Sequence, residues 1–432
     1  MHISITKATS CSPEVLSLCR RSAAQNSEIE SLVKEILRDI KENGINAAIG
    51  YAKKYDGLKT NNLKISQAQI KKAASKTSPK LKAALRQAIE NVKAFHQKQV
   101  EKSWSFKGKD GEILGQKIRP LKRAGLYVPG GAGAYPSTLI MNAVPAIVAG
   151  VKELVVASPG LESAVAFVLQ ELGIKEFYHI GGAQAIGFLA YVAGVDKIVG
   201  PGNVFAAFAK KEVFGTVDID MIAGPSEIAV LADCTANPEW VAADMLSQAE
   251  HGSGFEASVC VTDSPSFAKK LADCLAKQVE ASPKREILEK SLRAYGRIFI
   301  AKNMKAAVEI VNKIAPEHLE IVAKNQDELE KLVENAGAIF IGPYSAEPVG
   351  DYFAGPNHVL PTNGTARFAS PLGVYDFIKK TSIIRYNKKA LLKNGESIAE
   401  MANSEGFYHH AKAVTIRLTT PPLAPLFPLP CL

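Results

Sequence analysis

The feature that most constrains the fold is a series of short apolar segments that alternate with helix-like segments from about residue 124 onward. The strand-like segments read GLYV, ELVVAS, EFYHI and DKIVG, and the apolar stretches between them have helical length. The same rhythm returns after residue 240, where ASVCVTD, GRIFIA, LEIVA and AIFIG are the strand-like segments. Strand–helix–strand alternation is typical of parallel sheets covered by helices on both faces. The sequence therefore predicts an α/β protein with two parallel-sheet modules.

The flanking regions have a different texture. Residues 28–104 carry apolar side chains at helical spacing, with Gly44 as an expected helix stop, and the chain after residue 376 is again helical until KAVTIRL, an expected edge strand. A chain of 432 residues is long enough for several domains. We expect an N-terminal segment 1–27, a first α/β domain of 28–125 and 229–375, a second of 126–228, and a C-terminal extension 376–432.

Composition excludes several classes of protein. The formal net charge is +9, but basic and acidic residues are interspersed, which favours an ordinary solvated surface over a nucleic-acid groove. The six cysteines show no C-x-x-C spacing, which is typical of a reducing compartment. No apolar run reaches the roughly 20 residues of a membrane span, and the N-terminus lacks a signal core. We expect a cytoplasmic protein that binds neither membrane nor nucleic acid.

Three glycine-rich or polar loops lie where predicted strands end and helices begin: YVPGGAGAYPST, GGAQAIG and GPGNVF. In open α/β sheets, ligands bind at the carboxyl ends of strands. The dinucleotide fingerprint is nevertheless incomplete, because the pattern from Gly131 is G-x-G-x-x-P and the next strand ends in VVASPG without an acidic residue. From these residues alone, both a nucleotide cleft and structural turns remain open.

Ligand-type side chains occur in three distant segments. Gln248 and His251 are three residues apart at a predicted helix end, LSQAEH, and would share one face. Asp351 lies in the Gly- and Pro-punctuated loop VGDYFAGPNHVLPT, and EGFYHH near the C-terminus offers His409 and His410. Such a mixed nitrogen and oxygen set suits Zn²⁺ or a similar divalent ion. The alternative is an ordinary polar helix end with surface histidines.

The segment KIAPEHLEIV predicts a proton-transfer site. Pro316 suits the first turn of a helix, which would place Glu317 and His318 at its positive end and favour a neutral imidazole. A general base and a capped surface helix are both consistent with these residues. Ser226, in the turn AGPSE, is either a turn residue or a substrate contact.

The motifs taken together resemble the histidinol dehydrogenase family. GLYVPGG, GGAQAI, GPGN, AGPSE, SQAEH, PEHLE, GDYFAGPNHVLPT, TARFASPLGVYDF and the E-G-x-x-x-H of EGFYHH occur in the order seen in that family, from about residue 28 to residue 418. The resemblance implies an incomplete Rossmann-like fold and oxidation of L-histidinol to L-histidine, through the aldehyde, with two NAD⁺. In that family, the two oxidations are the last steps of histidine biosynthesis.

The resemblance also implies roles for individual residues. It makes His318 the general base and Glu317 the residue that activates water. The implied ligands of one Zn²⁺ per subunit are Gln248, His251, Asp351 and His410. The implied substrate contacts are these four together with Ser226, His318, His358 and Glu405, and the implied NAD⁺ contacts are Tyr127, Gln184 and Asn203.

The family implied by the resemblance forms homodimers with shared active sites. Glu405 and His410 of one chain would then complete the site of the other. Two departures are the run GSGFEA after SQAEH and a histidine at position 409, which offers an alternative ligand to His410. The competing hypotheses are a related zinc- and NAD-dependent dehydrogenase of another polyol, such as a dihydroxypropanesulfonate, and a zinc-dependent hydrolase.

Overall fold

The computed structural model describes residues 3–20, 27–130 and 135–419. The chain forms two compact units, Met1–Val100 with Pro120–Phe377, and Glu101–Arg119 with Ile378–Leu432. The Pro-rich tail and Gly131, where the fingerprint pattern begins, lie outside the described residues. No helix among the described residues is long and apolar enough to cross a membrane.

The described residues form strands and helices along the whole of the chain that they cover. The strands are β1 (Ser4–Lys7), β2 (Trp104–Lys107), β3 (Ile113–Pro120), β4 (Arg123–Tyr127), β5 (Glu153–Ser158), β6 (Glu176–His179), β7 (Lys197–Val199), β8 (Asp218–Ile219), β9 (Glu227–Ala232), β10 (Ala257–Thr262), β11 (Gly296–Ile300), β12 (His318–Val322), β13 (Ala338–Ile341) and β14 (Ile378–Arg385). The helices are α1 (Pro13–Cys19), α2 (Ser27–Tyr55), α3 (Gln67–Ala74), α4 (Pro79–Gln97), α5 (Pro136–Ala149), α6 (Ser163–Glu171), α7 (Gly182–Gly187), α8 (Val204–Val213), α9 (Pro238–Ala249), α10 (Pro265–Ala281), α11 (Arg285–Tyr295), α12 (Met304–Ile314), α13 (Gln326–Glu330), α14 (Glu347–Tyr352), α15 (Lys388–Ser404) and α16 (Tyr408–Thr419).

Two parallel sheets form the larger unit, which confirms the predicted α/β class. Within the described residues, one sheet has the strand order β6-β5-β4-β7-β8 and the other the order β1-β11-β10-β9-β12-β13. The central strands β9 and β10 are buried along their whole length, because helices cover both faces of the sheet. Strand β1 was not predicted; it pairs in parallel with β11 at the sheet edge.

The predicted N-terminal helices pack on the five-stranded sheet. Ile36 and Ile40 of α2 belong to the same buried cluster as Tyr127 of β4 and Ile186 of α7. The expected stop at Gly44 is instead a kink inside α2, where this residue has φ 60°. Glycine tolerates that conformation, and the helical segment therefore continues to Tyr55. This continuation brings the end of α2 to the edge of the sheet.

The smaller unit contains the sheet β14-β3-β2 and the helices α15 and α16. The edge strand predicted from KAVTIRL is wrong, because this segment belongs to α16. Ala411, the buried residue of this helix, and Leu418 are seven residues apart and lie on one helical face. A Cβ on Gly395 of α15 would lie 2.7 Å from the Leu418 side chain, so the two helices pack closely. Their packing outweighs the β-branched residues in the segment.

Candidate active site

The candidate proton-transfer residues lie at the amino ends of two neighbouring parallel strands. Ser226 precedes β9, Glu317 precedes β12, and His318 pairs with Ile228 in the parallel register. The helix predicted to start at Pro316 is wrong. Helix α12 ends at Ile314, and Ala315 adopts a left-handed conformation, so this proline follows a helix end rather than starting a helix.

The main chain of Glu227 holds both residues in place. The Glu227 N–H donates a hydrogen bond of 2.9 Å to Oε2 of Glu317. The carbonyl oxygen of the same residue accepts a 3.0 Å hydrogen bond from Nδ1 of His318. Since a carbonyl can only accept, Nδ1 carries a proton, and Nε2 is the ring nitrogen able to take another. The Nε2 atom is buried without a hydrogen-bond partner among the described residues.

Three carboxylates surround this imidazole. The Nε2 atom of His318 lies 3.6 Å from Oδ1 of Asp351 and 3.8 Å from Oε1 of Glu347, and its Nδ1 lies 3.7 Å from Oε2 of Glu317. Burial alone would lower the pKa of His318, but the negative charges of Glu317, Asp351 and Glu347 raise it to about 10. The predicted neutral imidazole at a helix terminus is therefore wrong on both counts: the residue begins a strand, and carboxylates favour its charged form.

The same environment raises the pKa of two of these carboxyl groups and lowers the pKa of the third. Burial raises the pKa of Glu317 to about 8. It raises the pKa of Glu347 to about 8 as well, with Asp351 as the second cause. Burial opposes ionisation of Asp351, but the contact with His318 and the proximity of His358 hold its pKa well below the usual range. The site therefore contains one firmly ionised carboxylate between groups that can exchange protons.

A cavity of about 220 Å³ adjoins these residues and collects four of the predicted side chains: Ser226, His251, Glu317 and His358. His358 Nδ1 donates to the carbonyl oxygen of Asp351 at 2.9 Å, and burial lowers its pKa. His251 Nδ1 lies 3.1 Å from Oγ of Ser226, and burial lowers the pKa of this histidine too. Loss of hydration therefore favours the neutral form of both imidazoles at this cavity.

Gln248 and Asp351 offer oxygen ligands for a metal ion. Gln248 is fully buried in the last turn of α9, and neither its amide nitrogen nor its amide oxygen has a hydrogen-bond partner among the described residues. A buried amide without partners is costly, and coordination of a cation by its oxygen would remove part of that cost. Helix α9 ends at Ala249, so His251 lies in the turn just beyond it.

A second group of possible ligands was not predicted. Ligand atoms of His318, Glu347 and Asp351 lie within 4.8 Å of one another. Glu347 also accepts a 3.0 Å hydrogen bond from the Ser247 hydroxyl. Glu347 reaches this group through contacts with residues distant in sequence, such as Ser247 one hundred positions earlier, and no local sequence pattern indicated Glu347 as a possible ligand. The two candidate ligand sets share Asp351.

Two predicted site residues, Glu405 and His410, belong to the smaller unit. Glu405 is the C-cap residue of α15, and His410 lies in the first turn of α16 with its ring 4.9 Å from that of Phe407. Both predicted side chains are exposed, and so is that of His409. Their assignments as substrate contact and metal ligand stay predictions.

The predicted NAD⁺ contacts line one cleft at the carboxyl edge of the five-stranded sheet. Tyr127, Gln184 and Asn203 border a cavity of about 360 Å³. The Tyr127 hydroxyl accepts a 3.1 Å hydrogen bond from the Gly182 N–H. Asn203 caps α8 by accepting from the amides of the second and third residues after it. Strand ends and the start of two helices thus meet at this cleft, an arrangement that suits an anionic ligand.

Comparisons with known proteins agree over almost the whole chain. A family model described as histidinol dehydrogenase matches residues 19–418. A histidinol dehydrogenase of Bacillus subtilis is 49% identical over 413 residues, which cover 94% of this chain and 96% of the relative. One from Halalkalibacterium halodurans is 50% identical over 398 residues, covering 90% and 94%. The crystal structure of histidinol dehydrogenase from Elizabethkingia anophelis superposes with a TM-score of 0.90 at 33% identity, covering 97% of this chain and 98% of that one.

These matches identify the chain as an NAD-dependent oxidoreductase of a family whose members use a metal, and its residues His318, Glu347 and Asp351 form a possible metal site. The resemblance read from the sequence motifs is confirmed. The chain belongs to the histidinol dehydrogenase family.

Proposed function

We propose that this protein oxidises L-histidinol to L-histidine, through the aldehyde, with two molecules of NAD⁺. Family membership supports the substrate. The observation that carries the proposal is the pair Glu317 and His318, buried beside a cavity and oriented by the main chain of one residue, Glu227. NAD⁺ supplies the hydride acceptor when it is bound; the residues of the chain move the protons.

His318 is the general base for both oxidations. Its Nε2 takes the proton of the substrate hydroxyl as the hydride leaves carbon. The pKa of about 10 reflects uncompensated carboxylates around the ring. A cation held by Asp351 would neutralise part of that negative charge and lower the pKa of His318 toward the working pH.

Glu317 activates the water that hydrates the aldehyde. Its carboxylate takes a proton from the water while the water oxygen adds to the carbonyl carbon. His318, protonated in the first oxidation, returns that proton to the carbonyl oxygen, which gives a gem-diol and frees the base for the second oxidation. A pKa of about 8 allows this carboxyl both to take and to release a proton near neutral pH. His318 then accepts the proton of the gem-diol as the second hydride leaves.

We propose that the metal ion of this protein is Zn²⁺ and that its ligands are Gln248, His251, Asp351 and His410. The unpartnered amide of Gln248 and the neutral imidazole of His251 fit such an ion. When bound, the ion would orient the nitrogen atoms of the substrate. Ser226 and His358 line the cavity and are proposed substrate contacts.

The sites are proposed to be shared between two copies of the chain in a homodimer. Glu405 and His410 are exposed on the smaller unit, so a neighbouring copy can use them as substrate contact and ligand. Tyr127, Gln184 and Asn203 are the proposed NAD⁺ contacts. The domain boundaries at residues 126 and 229 and the C-terminal extension from residue 376 remain part of this proposal.

The test is NADH formation from L-histidinol and, separately, from the aldehyde. His318→Asn should reduce both rates by about 10²–10⁴-fold, because both steps need the same base. Glu317→Gln should spare aldehyde formation and slow the step that depends on hydration. A wild-type protein that makes no NADH from histidinol, but makes it from 2,3-dihydroxypropanesulfonate, would contradict the proposal, as would hydrolysis without NAD⁺.

A further inference from the structure

The cleft for the nucleotide lacks an acidic residue at a position where dinucleotide-binding folds carry one. Strand β4, helix α5 and strand β5 form a parallel βαβ unit, and β5 ends at Ser158, followed by Pro159 and Gly160. In dinucleotide-binding domains, an Asp or Glu near this strand end accepts a hydrogen bond from the ribose 2′-hydroxyl of NAD. The chain must either do without this contact or take the carboxylate from elsewhere.

Asp56, the first residue after α2, brings a carboxylate to that place. A Cβ built on Gly181, just after β6, would lie 2.7 Å from Cβ of Pro159 and 2.8 Å from Oδ1 of Asp56. Both atoms therefore lie within a few ångströms of the same point, and the carboxylate is beside the end of β5. The residue that follows α2, which is remote in sequence, thus places its carboxylate where the acidic residue at the end of β5 is missing.

The Asp56 carboxylate is held rigidly through one oxygen. Its Oδ2 accepts hydrogen bonds of 3.0 Å from the Gly181 N–H and from Nε2 of Gln184. Its main-chain carbonyl accepts a 3.0 Å hydrogen bond from Nε2 of His179. The second oxygen, Oδ1, has no hydrogen-bond donor among the described residues and remains available to a ligand.

The charge around the cleft favours one nucleotide over the other. Two adjoining cavities of about 270 and 360 Å³ share Tyr55, Asp56, Gly130 and Pro159. No Lys, Arg or His occurs among the described residues that line them, whereas the carboxylates of Asp56 and Glu162 do. A 2′-phosphate would meet negative charge here and no cation to pair with it.

We propose that Asp56 is the residue that selects NAD⁺ against NADP⁺: its Oδ1 accepts the hydrogen bond of the ribose 2′-hydroxyl and its charge repels a 2′-phosphate. The inference rests on the proposed function, because it takes the cleft of Tyr127, Gln184 and Asn203 as the nucleotide site. It assigns to Asp56 a specificity role that its sequence context, YAKKYDG at a helix end, does not reveal.

The test is the binding of NAD⁺ and of NADP⁺ to the metal-loaded protein by calorimetry, without histidinol. Asp56→Asn keeps an oxygen acceptor for Gly181 and Gln184 but removes the charge. We expect the ratio of NADP⁺ to NAD⁺ dissociation constants to fall about 10- to 100-fold, as for loss of a hydrogen bond to a charged group together with a repulsion. Added salt should strengthen NADP⁺ binding to the wild type and not to the variant, because salt screens repulsion.

Glu42→Gln, at an exposed position of α2 that lines neither cavity, is the matched control and should leave the ratio unchanged. Glu162→Gln, which neutralises the other carboxylate of the cleft, should lower the ratio less than Asp56→Asn. Asp56→Ser is a second variant that avoids the amide group of asparagine, and we expect the same fall in the ratio of dissociation constants. Thermal unfolding measures whether both variants are folded. If the Asp56 variants bind NAD⁺ and NADP⁺ more weakly by the same factor, Asp56 only positions Gln184, and the inference is overturned. So would a shift in Glu162→Gln only. A wild type that binds neither nucleotide would instead contradict the proposed function.

Discussion

The two main-chain groups of Glu227 orient both residues to which we assign proton transfer. Because parallel pairing places β9 beside β12, the Glu227 N–H meets Glu317 and its carbonyl meets His318. Main-chain groups of a central strand are fixed by the sheet and cannot change rotamer. The proposed catalytic pair is therefore preorganised before substrate binds.

Gln248→Ala and Glu347→Gln distinguish the two candidate ligand sets around Asp351. If the ion uses the Gln248 amide, Gln248→Ala should lower metal affinity at least about tenfold, and Glu347→Gln should retain the metal. Metal content after dialysis against a competing chelator measures both. Loss of metal in Glu347→Gln alone would place the ion in the set of His318, Glu347 and Asp351 instead.

At the scale of single elements, a buried ion pair holds the loop that follows β7. Lys210 of α8 contacts Asp220 and donates a 3.0 Å hydrogen bond to the Gly200 carbonyl. Asp220 Oδ2 accepts a 2.7 Å hydrogen bond from the Gly200 N–H. At this glycine, φ is 121°, and a Cβ would lie 2.1 Å from the Tyr127 carbonyl oxygen. The pair thus fixes the turn that leads to Asn203, which lines the proposed nucleotide cleft.

Lys210→Met should destabilise the protein by about 3–5 kcal/mol, because it leaves the Asp220 charge buried without its partner. Lys211→Met, at the exposed neighbouring position, is the control and should change the free energy of unfolding by less than about 0.5 kcal/mol. Urea denaturation measures both. Similar midpoints for the two variants would show that the buried pair contributes no net stability.

The same elements indicate what local sequence can predict. Alternating apolar segments identified both parallel sheets, because buried strands and the helices between them leave periodic patterns. Pro316 was misread, because a proline can start a helix or follow one, and the left-handed Ala315 that decides the matter is set by packing. Strand β1 escaped prediction since its pairing partner β11 lies almost three hundred residues away. Glu347 and Asp56 matter only through such distant contacts.

At the scale of the whole molecule, the proposed sharing of active sites between two copies of the chain predicts complementation. His318→Asn and His410→Ala homodimers should each be nearly inactive. A mixed dimer would contain one site with both residues intact, so an equal, fully exchanged mixture should recover roughly a quarter of wild-type activity. Activity of the mixture, followed with time after combining the two variants, measures this. No recovery despite proven exchange would contradict sharing of His410.

A buried carboxyl pair makes the stability of the molecule depend on pH. Burial and the neighbouring Asp244 raise the pKa of Glu320 from 4.5 to about 9. A group whose pKa is higher in the folded state stabilises the fold while it is protonated in that state. This contribution is complete below about pH 4.5 and is lost as pH rises toward 9.

Glu320→Gln should therefore be similar to the wild type in stability near pH 4.5 and increasingly more stable than it toward pH 9. The glutamine oxygen can still accept the hydrogen bond from the Glu347 N–H. Urea midpoints across this range measure the effect, and Glu309→Gln, at an exposed position, should follow the wild type throughout. Parallel profiles for Glu320→Gln and wild type would contradict the assignment.

The hydrogen bond from the Glu227 N–H to Glu317 also makes this amide a spectroscopic reporter. When the carboxylate of Glu317 takes up a proton, the acceptor of that bond weakens, and the ¹⁵N and ¹H chemical shifts of the Glu227 amide should move with it. In the metal-free protein, the shift should titrate with a midpoint near the Glu317 pKa of about 8. One backbone resonance would then follow the charge of the proposed water-activating residue directly, without any substitution in the site.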